Sequence, residues 1–121
     1  MAERTAEVII VGAGVHGCSL AYHFTQRGVK DVLVFEKDAI GAGATGKSSG
    51  LVRLHYTNVP EAVLAQKSYE WFVDWENRVG GDCGFVKTGF IRIVPEKDVP
   101  RLRGNLAMMR SVGINTYEIT A

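Results

Sequence analysis

The chain has 121 residues, room for one hydrophobic core but not for two independent ones. Hydrophobic residues make up 46% and charged residues 22%, which excludes a disordered, collagen-like or coiled-coil chain. Fourteen basic and 13 acidic side chains leave a formal net charge of +1 with no long run of either sign. Neither nucleic acid nor a membrane surface is therefore expected as a partner.

The opening "MAERTAEVIIVGAG" has neither the apolar core nor the cleavage site of a signal peptide. No apolar run approaches the ~20 residues of a spanning helix, so the cytoplasm is the expected location. "EVIIVGAG" is a β-branched run ending in glycine, expected to be a strand buried on both faces of a parallel sheet. A helix is expected over Val15–Arg27, with Leu20, Ala21 and Phe24 packed on that sheet and Gly28 as its C-terminal cap. "DVLVFE", Asp31–Glu36, is the second buried strand and closes a β-α-β unit.

Glycines, serines and Pro60 break the periodicity from Lys37 to Pro60, apart from a briefly extended "LVRLHY". A long amphipathic helix is expected from Pro60 to the stop at Gly80-Gly81, with Leu64, Tyr69, Phe72, Trp75 and Val79 on one face. "FVKTGFIRIVP" alternates like a strand, Asp98-Val99-Pro100 opens a helix carrying Leu102, Leu106 and Met109, and "INTYEIT" resembles a further strand. The expected architecture is α/β. Two parallel strands do not complete a doubly wound core, so the chain is expected to be the front of a longer protein. Cys18 and Cys83 stand in no metal-like or redox-like spacing, so two free thiols and no metal site are expected.

Two glycine clusters compete as phosphate sites. Gly12, Gly14 and Gly17 fall in G-x-G-x-x-G spacing between the first strand and first helix. In that context Gly12 permits a tight turn, Gly14 lets backbone approach a pyrophosphate, and Gly17 lets the helix lie close to the sheet. The ligand would rest on the helix N-terminus, whose free N–H groups favour an anion. Glu36, 19 residues after Gly17, can accept hydrogen bonds from a ribose and would repel a 2′-phosphate. The alternative is that these glycines serve strand–helix packing alone.

The second cluster, "GAGATGKSSG", matches the P-loop pattern through Gly41, Gly46, Lys47 and Ser48. A working P-loop follows a buried strand directly and opens a helix. Here "KDAI" intervenes before Gly41, alternating residues follow Gly50, and no strand ends in a magnesium-binding aspartate. The loop is better placed to lie along a dinucleotide held by the first cluster, or else it is a surface loop. A P-loop NTPase remains the minor alternative. His16 and His23 are expected to be packed or solvated, and His55 lies nearer the candidate site. Cys18, at a helix N-terminus, is a position where a thiol pKa can fall but which more often packs inward.

The stretches "VIIVGAGVHGCSLAYHFTQRG", "VLVFEK", "GATGKSSGLVRLHY" and "KTGFIRIV" together resemble the FAD-dependent amine and amino-acid oxidoreductases: sarcosine oxidase, dimethylglycine dehydrogenase, glycine oxidase and D-amino-acid oxidase. The likeness is greatest to sarcosine oxidase β subunits and dimethylglycine dehydrogenases. It implies a Rossmann-like FAD-binding fold with its N-terminal part over residues 1–80, and the first strands of a mixed-sheet substrate domain over 81–121. It also implies oxidation of the C–N bond of a secondary or tertiary amine or amino acid, by hydride transfer to FAD, with partner subunits possible. Gly12, Gly14 and Gly17 would hold the FAD pyrophosphate, with Glu36 on the adenosine ribose and Lys37 beside it. Thr45, Ser48, Ser49, Gly50 and Leu51 would follow the flavin's phosphate and ribityl portion.

Arg53 would bind the substrate carboxylate, a pairing suited to a guanidinium fork. The alternative for it is a solvated or sheet-edge arginine. Lys47 stands where dimethylglycine dehydrogenase has the histidine that carries flavin covalently, so no covalent link is expected there. Gly50 replaces a basic residue of monomeric sarcosine oxidase. Because family members are several times longer, a catalytically incompetent dinucleotide-binding fragment or subunit is the main alternative reading.

Overall fold

The computed structural model describes residues 5–119. The chain is α/β and divides into two compact units, with the boundary in sequence between Leu51 and Val52.

The first unit begins with β1 (Val8–Val11), α1 (Val15–Gln26) and β2 (Val32–Phe35). The strands are parallel in the register Val8↔Val32, Ile9↔Leu33, Ile10↔Val34 and Val11↔Phe35. Val8 N–H donates to the Asp31 carbonyl at 3.1 Å and Gly12 N–H to the Phe35 carbonyl at 2.7 Å, closing the ladder at both ends. Because strand side chains alternate, Ile10 is buried on the face toward α1 while its neighbours Ile9 and Val11 are 57% and 86% exposed. Leu33 and Phe35 share that open face. The expectation that both faces would be covered is thus met on one face only, since α1 is the one helix of this unit among the described residues.

Leu20, expected to pack on the sheet, is 51% exposed, whereas Ala21 and Phe24 are half-buried. α1 ends as its sequence indicates. Gly28 adopts φ +88°, its N–H donates to the Thr25 carbonyl and the Val29 N–H to that of Phe24, at 3.0 and 3.1 Å. This pairing satisfies carbonyls that the helix end would leave open.

The second unit contains α2 (Val59–Val73), α3 (Trp75–Arg78) and α4 (Val99–Ser111), the last entered through a 3₁₀ turn at Glu96–Asp98. Asn58 caps α2: its Oδ1 accepts from Glu61 N–H at 3.0 Å, and its Nδ2 donates to Glu61 Oε2 at 2.7 Å. This reciprocal pairing resembles a capping box and starts the helix where Pro60 already favours one.

The single long helix expected from Pro60 to Val79 is broken at Asp74. That side chain accepts from Asn77 Nδ2 at 2.7 Å and from Arg78 Nε at 3.0 Å and makes no capping bond to a backbone N–H, while the Asp74 backbone, at φ −119° and ψ 31°, departs from helical values. Leu64 is 68% exposed and leaves the expected face; Ala62, fully buried, takes its place in the core. There Ala62, Leu106, Met109 and Ile114 pack together. Ile114 reaches this cluster because Gly113 turns the chain at φ +88°, with Ile114 N–H on the Met109 carbonyl at 3.0 Å. The same cap that ended α1 therefore also brings an apolar residue back over the last turn of α4.

Two expected strands differ. Neither "FVKTGFIRIVP" nor the described part of "INTYEIT" (114–119; Thr120 lies outside the described residues) forms a paired strand. Alternation supplies a face, but a strand also needs a neighbouring ladder, and none is offered to these segments among the described residues. Ile91 and Ile93 stand 71% and 91% exposed as a result.

Candidate functional site

The first candidate site forms where β1, β2 and the second glycine cluster meet. Gly12 leaves β1 with φ +101°, a conformation that L side chains rarely adopt. A Cβ on Gly17 would overlap the Gly12 carbonyl and touch Ile10 Cγ2 at 3.4 Å. Gly17 is thus the residue that lets α1 approach the turn, as its spacing indicates.

Gly14 is the N-cap of α1 and supplies no side-chain acceptor. That role falls to Thr45, whose Oγ1 accepts from Val15 N–H at 2.9 Å across thirty positions of sequence. A Cβ on Gly14 would stand 3.1 Å from the same oxygen. Gly41 N–H donates to the Ala13 carbonyl at 2.9 Å and Gly46 N–H to the Gly41 carbonyl at 2.7 Å. The second cluster is thus a tight turn pinned onto the first. This arrangement is incompatible with a P-loop. Residues 40–47 are turn, and no helix begins until Val59, so Lys47 and Ser48 do not open one.

Glu36, just beyond β2, accepts from Ala13 N–H at 2.9 Å through Oε2 and from Asp38 N–H at 3.1 Å through Oε1. The Ala13 and Asp38 amides, in that order, hold its carboxyl below the ordinary value of 4.5, because both bonds favour the charged form. Each carboxylate oxygen keeps a further lone pair for a ligand hydroxyl.

A cavity of about 630 Å³ opens over this constellation. Gly12, Gly14, Glu36, Lys37 and Thr45 line it, joined by His16, Asp38 and Lys47. Asp38 and the main-chain bond from Ala13 were not legible as part of a site, since nothing in their spacing marks them. Gly17, Ser48, Ser49, Gly50 and Leu51 do not line this cavity; Ser48 instead accepts from Gly50 N–H through Oγ at 3.2 Å. The residues present fit the adenosine and pyrophosphate portion of FAD: an open glycine turn, a helix N-terminus and an ionised acid at the strand end.

Arg53 lies in the second unit. Its guanidinium stands 5.6 Å from the Tyr56 ring centroid and 6.0 Å from that of Phe90, contacts worth about 0.5–1 kcal/mol each at an exposed site. No carboxylate pairs with it among the described residues. His55 lies 6.0 Å from the Phe90 ring. Burial, then Arg92, then Arg53 push its imidazole below the ordinary value of 6.5. His23 rests edge-on against Tyr22 at 5.4 Å. Cys18 and Cys83 are free and exposed, so the expectation that Cys18 packs inward is corrected: the residue is exposed, and its Sγ donates to the Ala13 carbonyl at 3.5 Å. No group of metal-ligating side chains occurs among the described residues. No described helix is long and apolar enough to cross a membrane.

Strand, glycine turn, helix and strand-end acid together define a dinucleotide-binding α/β unit. The family model for FAD dependent oxidoreductase matches residues 7–121, and the chain belongs to that family. Among curated relatives, human mitochondrial dimethylglycine dehydrogenase is 34% identical over 88 residues, covering 73% of this chain and 10% of that protein. The sarcosine oxidase subunit beta of Rhodobacter capsulatus is 38% identical over 67 residues, 54% of this chain and 16% of that protein. The mouse mitochondrial pyruvate dehydrogenase phosphatase regulatory subunit is 29% identical over 93 residues, 77% and 11%. The chain thus spans about a tenth of the length of dimethylglycine dehydrogenase. The crystal structure of L-proline dehydrogenase from P.horikoshii superposes with a TM-score of 0.82 over 93% of this chain and 29% of that one, at 22% identity, a likeness of fold.

Proposed function

We propose that this chain supplies the adenosine- and pyrophosphate-binding portion of an FAD-dependent oxidoreductase acting on a secondary or tertiary amine or amino acid of the sarcosine or dimethylglycine kind. The observation that carries the reading is the Glu36 carboxylate, held ionised at the end of β2 beside the Gly12 turn, in one cavity with Gly14 and Thr45. Gly12 and Gly14 leave backbone open to the pyrophosphate, and Gly17 keeps α1 close enough to present its N-terminus. Glu36 accepts from the ribose hydroxyls, with Lys37 beside the adenosine. Ser48, Ser49, Gly50 and Leu51 continue toward the ribityl chain.

FAD, when bound, supplies the acceptor for a hydride from the carbon next to nitrogen. Arg53 orients the substrate by gripping its carboxylate, a role favoured by the lack of an acidic partner among the described residues and by the two rings that restrain it. The domain division at 80/81 and a cytoplasmic location belong to the same reading. So does assembly with other subunits, which names such as sarcosine oxidase subunit beta favour.

Titration of the chain with FAD, followed by flavin fluorescence, tests the site. Saturable binding is expected, weakened about tenfold by Glu36→Gln through loss of a charge-assisted bond. Equal affinity of the variant would remove Glu36 from the site. In the whole protein, flavin reduction by sarcosine, dimethylglycine or an amino-acid panel is expected, and its absence across the panel overturns the activity.

A second reading has a specific observation in its favour. The open sheet face of Ile9, Val11, Leu33 and Phe35 suits a dinucleotide-binding module that turns nothing over by itself. FAD binding by the chain alone, without reduction by any amine, is its expected signature, and turnover by the chain alone would exclude it.

A further inference from the structure

The second unit holds a cavity of about 410 Å³. Three guanidiniums line it from separate segments: Arg53 after the glycine-rich loop, Arg92 in the irregular 85–95 segment and Arg101 in the first turn of α4. None of the three is ion-paired among the described residues, where the salt bridges are Arg78 with Asp74 and Arg103 with Glu118.

We infer that this cavity binds a compact dicarboxylate, one carboxylate on Arg53 and the other on Arg92 and Arg101. The inference shares Arg53 with the proposed amine-oxidising site and so rests on that reading for Arg53, but it requires no flavin.

Three observations lead there. First, Arg53 is stacked over Tyr56 and Phe90, so its ring contacts restrain the side chain while its N–H edges stay available for a planar anion. Second, His55 borders the same cavity and feels both Arg92 and Arg53. The two cations therefore act on one shared space and raise its affinity for anions. Third, the space is larger than one carboxylate needs, and Val94 and Leu102 give it apolar wall. That wall suits the hydrocarbon link between two anionic ends better than it suits a single phosphate.

Two carboxylates also line the cavity, Glu61 and Asp98. Glu61 is engaged by Asn58 at the start of α2. Asp98 has no side-chain capping bond at the start of α4, which leaves it able to receive an ammonium group. The same cavity thereby accommodates an amino dicarboxylate as well as a simple one.

Calorimetric titration of the whole chain with succinate, acetate and inorganic phosphate tests the inference. Succinate is expected to bind about tenfold more tightly than acetate, since a second charge-assisted pair is made. Arg92→Gln is expected to abolish most of that preference while leaving acetate affinity within about twofold, and Arg101→Gln to act in the same direction. Both side chains are exposed, and an unchanged melting midpoint shows that each variant is folded. Succinate binding no tighter than acetate, phosphate binding tighter than succinate, or a preference untouched by both variants overturns the inference. Failure of amine-dependent flavin reduction is read in a separate assay and leaves these affinities standing.

Discussion

The two units stabilise themselves in different ways. In the first, the key contacts are polar or steric contacts to the main chain: a glycine carbonyl against a helix, a threonine hydroxyl on a helix N–H, a carboxylate on the Ala13 amide. In the second, a small apolar cluster of Ala62, Leu106, Met109 and Ile114 holds helices together, and charged side chains gather at the surface around it. A unit built on close backbone approach leaves room for a ligand along its main chain. One built on side-chain packing leaves its cations to recognise a ligand by charge.

That contrast can be broken from either side. The largest effect is expected for Met109→Ala, which empties the most buried large side chain and should cost the second unit about 2–5 kcal/mol in urea unfolding. A loss below about 1 kcal/mol would show that the cluster is not what holds α4.

Gly17→Ala comes next. The added methyl meets the Gly12 carbonyl, so α1 must shift, at about 1–3 kcal/mol, and FAD affinity should fall with it. An alanine variant with the original melting point and FAD affinity would mean that close backbone approach is not required.

Thr45→Val keeps the volume but removes the acceptor for Val15 N–H. A loss of about 1 kcal/mol, the worth of an N-cap, is expected in thermal melting. No change would detach the second loop from the stability of α1.

The smallest effects are those of pH, and they separate the units by window. Glu36 has a depressed folded-state pKa, so its contribution is full above 4.5 and is lost as pH falls through the lower folded value. His55 is depressed by burial and by its arginine neighbours. Its folded form binds protons less readily than its unfolded form, so stability falls once pH drops below about 6.5. Melting curves from about pH 7 to about pH 3 should show a first decline removed by His55→Asn and a second one reduced by Glu36→Gln. Declines that persist in both variants would assign the acid sensitivity to other groups.

Much of the first unit was legible in the chain because its determinants are local. The β-branched runs, the glycine spacing, the cap at Gly28 and the acid after β2 each impose a backbone conformation within a few residues. The second cluster satisfies the letters of a P-loop, but "KDAI" before Gly41 and the alternating residues after Gly50 already tell against one. The bonds of Gly41 N–H to the Ala13 carbonyl and of Val15 N–H to Thr45 Oγ1 show how the loop is pinned. Arg53 could be singled out through a family resemblance, whereas Arg92 and Arg101 carry no local signal.

The sequence by itself determined where β1, α1, β2 and α4 lie, with Gly12, Gly14 and Gly17 around the junction of β1 and α1 and Glu36 at the end of β2, since propensity and steric freedom act along the chain. It also placed the chain among FAD-dependent oxidoreductases, a membership the family model bears out. Tertiary structure alone decided that Thr45 caps α1 from thirty residues away, that Glu36 is held by Ala13, and that three arginines from separate segments face one cavity. It decided as well that alternating segments such as 85–95 stay unpaired among the described residues. Contacts between residues distant in sequence depend on how elements pack, and a local pattern contains no term for that.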